Sequence, residues 1–75
     1  MTVVVETAGS ITYVGRFDTE DEAGVHLVNV GVHDAATAGS REDYVRRSAR
    51  FGVRTDRTHL VVPRDEVSRI TPLGE

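Results

Sequence analysis

Val25-His-Leu-Val-Asn-Val-Gly-Val-His33 alternates in the manner of a strand, but its alternation slips halfway. Val25 and Leu27 fall on one face, and Val28, Val30 and Val32 on the other. A strand that changes its buried face is bulged, or serves both inner surfaces of a strongly bent sheet. On its N-terminal side lies Asp18-Thr-Glu-Asp-Glu-Ala-Gly24, which reads as a polar, acidic turn. Before that, residues 2–7 and 11–18 read as a hairpin joined by Ala8-Gly9-Ser10, where glycine serves a tight connection. Ile11, Tyr13 and Phe17 share one face of its second strand with Gly15. A glycine inside a strand marks a sharp bend or a close backbone approach.

After the loop Asp34-Ala-Ala-Thr-Ala-Gly39, Ser40-Arg-Glu-Asp43 has the form of a capping box, with the shorter Asp as its acid. The spacing predicts a helix over about 41–51, closed by Gly52 at the first position beyond it. Tyr44, Ser48 and Phe51 form one stripe, flanked by Val45 and Ala49, and arginines cover much of the rest. Residues 57–62 predict a fourth strand stopped by Pro63, and residues 66–71 a short fifth strand stopped by Pro72. The expected fold is mainly β, a five-stranded, strongly bent antiparallel barrel of the SH3-like kind. One helix is inserted between strands 3 and 4.

Size and composition narrow the field. Seventy-five residues make one domain, 1–75, and the 39% hydrophobic share is that of a globular chain. No apolar run approaches the ~20 residues of a membrane-spanning helix, and Met1-Thr2-Val3 does not open a secretory signal. The chain has no cysteine, which excludes disulfides and thiolate chemistry and points to a cytoplasmic protein. A core this small supplies only about 3–5 kcal/mol, so either an unusually well-closed sheet or burial against copies of itself is expected as a remedy.

Charge is unevenly placed. Residues 1–34 carry a net −5, residues 35–57 a net +3 and residues 58–75 a net −1. All nine basic residues are arginine, which reflects either coding bias or a use for planar bidentate donors. The basic segment offers phosphate contacts, with Tyr44 or Phe51 available for stacking; the plainer reading is a solvated helix face whose aromatics pack on the barrel.

His26, His33 and His59 stand outside the usual spacing of a metal site and read as strand histidines, so no metal or other cofactor is expected. The acids at 18–22 do not make a calcium loop, because the twelfth position after Asp18 is Asn29 rather than Glu. There is no Gly-x-Ser-x-Gly and no phosphate loop, and a small barrel lacks room for a deep pocket of several hundred Å3. The expectation is a non-enzyme.

Val3-Val4-Val5, Gly9, Gly15-Arg-Phe17, the acidic stretch 18–24 and Val25-His-Leu27-Val together resemble the first motif of the Sm-like (Lsm) family. Leu60-Val-Val-Pro-Arg-Asp-Glu-Val67-Ser-Arg-Ile70 is similar to its second motif. The resemblance covers residues 2–30 and 58–72, with 31–57 as a long variable insertion. It implies a homo-oligomeric ring in which Leu60, Val61, Val62, Val67 and Ile70 serve both core and interface. It also implies binding of single-stranded RNA or RNA–protein scaffolding.

The family's base-reading loop is only partly matched. Its Asp position falls on Glu20, its Asn position on Gly24, and its Arg-Gly turn on Pro63-Arg64. Arg64 is the one residue carried over, and Arg46, Arg47, Arg50 and Arg54 are the RNA-binding candidates of the insertion. The alternative is an SH3-like protein-interaction or structural module that binds no RNA.

Overall fold

The computed structural model describes residues 1–74. Five strands, β1 (Thr2–Thr7), β2 (Ile11–Asp21), β3 (Gly24–Asp34), β4 (Arg57–Val62) and β5 (Val67–Pro72), form one antiparallel sheet in the order β4-β3-β2-β1-β5. Helix α1 (Arg41–Phe51) lies between β3 and β4, and a single 3-10 turn (Arg64–Glu66) leads into β5. The fold class expected from the sequence is the one found.

The slip in β3 is a bulge. Val14 pairs with Gly31 and Arg16 with Val28, so β3 spends one more residue than β2 across this step. Asn29 absorbs the extra residue in a left-handed conformation, φ 53°. The parity change therefore has a different consequence from the simple reading: Val30 joins Val25 and Leu27 in the core, whereas Val28 is half-buried and Val32 is 38% exposed. Gly15 sits opposite this bulge. A Cβ there would stand 3.1 Å from Val30 Cγ2 and 3.2 Å from Val30 Cα, the close approach expected of a strand glycine. A second shift of opposite sense, between Phe17 and Thr19, lengthens β2 locally.

The bent sheet buries both of its faces. Val3, Val5, Val25, Leu27, Val30 and Val62 make the inner core, with Tyr13, Leu60 and Val67 packed against it. Val4, Thr12, Val14 and His33 are buried on the opposite face, where α1 supplies the buried Ser48. On this second strand of the hairpin Thr12 and Val14 are fully buried, while Phe17 is 37% exposed beside the second bulge. The acidic stretch differs from the expected turn. It is strand as far as Asp21 and turns only at Glu22-Ala23, because pairing runs on to Asp21 and Gly24.

Helix α1 begins and ends where its caps dictate. Ser40 Oγ accepts from the Asp43 N–H at 3.1 Å, and Gly52 takes φ 93° while its N–H donates to Ser48 O. Arg41 clamps the helix to the β1–β2 hairpin. Its guanidinium donates from Nε to Thr12 Oγ1 at 2.7 Å, from Nη1 to Glu6 Oε1 at 3.0 Å and from Nη2 to Gly9 O at 3.0 Å. That fork satisfies the hydroxyl of the buried Thr12.

Candidate nucleic-acid interface

Because α1 is held at its N-terminus by Arg41 and lies over β3, a groove of about 590 Å3 opens between the helix, the 38–40 loop and the 52–56 segment. A pocket of several hundred Å3 was not expected of so small a barrel. The volume comes from the inserted helix standing against the sheet, not from the barrel interior. A second groove of about 560 Å3, on the other side of the helix N-terminus, is lined by Glu6, Arg41, Val45, Arg46 and Thr71 among others.

The floor of the first groove is aromatic and polar. His33 and Tyr44 stack with ring centroids 4.4 Å apart and planes 11° from parallel. His33 Nε2 lies 2.9 Å from Gly39 O, which places a proton on Nε2. The Tyr44 hydroxyl is buried without a well-formed hydrogen bond. Burial, with the Asp56 carboxylate as a second cause and Ser48 partly offsetting, pushes the phenol above its ordinary 10.0. Asp56 is fixed in turn, since its Oδ2 accepts from the Val32 N–H at 2.9 Å.

Gly31 makes this seating possible. A Cβ on it would lie 2.5 Å from the Tyr44 hydroxyl and 2.7 Å from Arg54 O.

The sequence-predicted arginines divide among three places. Arg47 and Arg54 line the first groove, and the Arg50 guanidinium lies 5.4 Å from the Phe51 ring centroid at its rim. Phe51 is 76% exposed. The expectation that both helix aromatics pack on the barrel holds for Tyr44, which stacks on His33, and fails for Phe51, which faces solvent. Arg46 faces the second groove and pairs with Asp43 at 3.4 Å.

Arg64 is remote from all of these. Its Nε lies 3.2 Å from Glu20 Oε2 and its Nη2 donates to Asp21 O at 3.0 Å, so its charge is spent within the chain at the β2–β3 hairpin tip. Gly24, the position corresponding to a base-reading Asn in the family resembled, has φ 136°, and a Cβ there would run into the Val62 carbonyl. Any side chain at this position is sterically barred.

The residues expected to serve core and interface together separate as well. Val62 is buried, Leu60 and Val67 are half-buried against the core, Val61 is half-buried on the opposite face, and Ile70 is 39% exposed. Among the described residues β4 and β5 are not paired with each other; each forms an edge of the sheet.

Sequence reasoning missed Arg41 as a clamp and the His33–Tyr44–Asp56 floor. The capping box placed the helix, but nothing in its spacing told which strand it covers. A glycine midway through an apolar strand, Gly31, was the available signal that something approaches closely there. No family model, curated protein or solved structure matches the chain.

Proposed function

We propose that this chain is an Sm-like scaffold that assembles head to tail into a closed ring and holds single-stranded RNA on its helix faces. The observation that carries the reading is the open sheet. Among the described residues β4 and β5 each offer six residues of strand at an edge with no neighbour, flanked by the partly exposed Val61 and Ile70. An unpaired edge of this kind is a template for another chain, and rotational closure of β4-to-β5 pairing leaves no edge free. The exposed Phe51 beside Arg47, Arg50 and Arg54 supports the RNA arm, since a base can stack on the ring while guanidiniums meet phosphates.

Retention of a labelled uridine-rich or adenine-rich oligonucleotide, followed across a salt series, tests that arm. Three arginine–phosphate contacts give a slope of log affinity against log salt of about −2. Phe51→Ala weakens binding by about 1–3 kcal/mol if one base stacks there. The acidic hairpin, the internally paired Arg64 and the barred side chain at Gly24 favour a second reading, a protein-interaction module. Absence of salt-dependent retention in the parent protein is the result that selects it.

A further inference from the structure

On the outer side of the β3–β4 pair, His26 Nδ1 and His59 Nε2 face each other at 3.4 Å, their ring centroids 5.4 Å apart. The other nitrogen of His26, Nε2, lies 2.9 Å from Asp21 Oδ2. That approach is short but off the N–H axis, so Nε2 has a close charge partner and no well-aligned hydrogen bond. A carboxylate against Nε2 favours the tautomer with the proton there, leaving Nδ1 as a bare lone pair directed at His59.

We infer that Asp21, His26 and His59 form a surface site for a zinc-like divalent cation, with the two imidazoles as ligands and Asp21 orienting the first of them. The distance is the argument. Two nitrogens each about 2.0–2.1 Å from a tetrahedral zinc are separated by about 3.3–3.4 Å, and the two rings already stand at 3.4 Å. In the metal-free protein the hydrogen bond between the two rings spans that gap, and the cation replaces it. The carboxylate behind a ligating histidine is the usual support of such a site.

Register explains how the residues meet. His26 pairs with Val61 and His59 with Val28, so the histidines are diagonal neighbours on one face, while the short hairpin turn brings Asp21 back over His26. His59 is exposed on an edge strand and the His26 side chain is 18% exposed, so the gap is open to water. Glu20 on the same hairpin is offset by Arg64, and Asp18, Asp21 and Glu22 leave a net local negative field that draws cations in.

Among the described residues no group of three or more His, Cys, Asp or Glu is arranged to hold a metal ion. The cation therefore takes two ligands from the chain and the rest from water, which puts the site in the weak class of metal sites.

Zinc titration of the full chain by calorimetry, paired with 15N spectra of the histidine rings, tests the assignment. One zinc per chain is expected, perturbing His26 Nδ1 and His59 Nε2 and leaving His33 unmoved. His59→Gln, an exposed position that leaves the fold intact, should lose about tenfold or more in affinity, and Asp21→Asn about tenfold. Zinc binding to His59→Gln within threefold of the parent would assign the ion to the acidic hairpin and overturn the proposal. Failure of the parent to bind at millimolar zinc would do the same.

Discussion

Gly31→Ala probes how the inserted helix is seated. The added methyl would stand 2.5 Å from the Tyr44 hydroxyl, 2.7 Å from Arg54 O and 3.2 Å from Val53 Cγ1. The hydroxyl is the tip of a side chain and can give; the Arg54 carbonyl is backbone and moves only if the 52–56 segment moves. Overpacking of this sort costs about 1–3 kcal/mol. Replacing a strand glycine returns about 0.5–1 kcal/mol in chain entropy. Two of the three contacts fall below 3.0 Å, which puts the overpacking cost in the upper part of its range, about 2–3 kcal/mol. The net loss is about 1–2.5 kcal/mol, a fall in Tm of about 5–15 °C for a domain of this size.

Tyr44→Phe in the same background removes one of the three collisions. The pair should then couple by about 0.5 kcal/mol or more in a double-mutant cycle followed by thermal and urea unfolding. A Gly31→Ala variant as stable as the parent would refute the seating of α1 on β3. Strict additivity with Tyr44→Phe would show that the hydroxyl is not where the groove geometry requires it.

Three further outcomes follow from other parts of the molecule. The neutral Tyr44 phenol is favoured in the folded state, so its stabilisation is complete below the unfolded value of 10.0 and is lost as pH rises through the raised folded value. Urea melts above pH 10 should therefore show a steeper loss for the parent than for Tyr44→Phe. Arg41→Ala strands the buried Thr12 hydroxyl and frees the helix N-terminus, at a cost of about 1–3 kcal/mol read from thermal melts. Ile70→Lys lies at a 39% exposed position and should leave the unfolding of the isolated subunit within about 0.5 kcal/mol while abolishing self-association in light scattering.

Where the physics is local, the chain announces its structure. Ser40, Asp43 and Gly52 mark the helix termini because capping depends on a few adjacent atoms, and Pro63 ends β4 because it has no N–H to give. The broken alternation of 25–33 signals a bulge, although it does not say which valine turns inward; only the pairing of Val14 with Gly31 and Arg16 with Val28 settles that. Burial of Thr12, Val14 and His33 is illegible because it depends on the inserted helix folding back over them.

The candidate interface shows the same division. The arginine-rich segment is plain in the composition, but its sorting into Arg47, Arg50 and Arg54 near Phe51 and Arg46 on another groove is decided by tertiary geometry, as is the binding of Arg64 to Glu20. His26 and His59 are 33 residues apart, and only strand register brings them together.

The mass of the protein in dilute solution, taken by native mass spectrometry and light scattering on one sample at micromolar concentration, bears most directly on the open sheet. Pairing of β4 with a neighbour's β5 predicts a single closed species at an integral multiple of the 8.2 kDa subunit. A lone 8.2 kDa subunit under those conditions would contradict it.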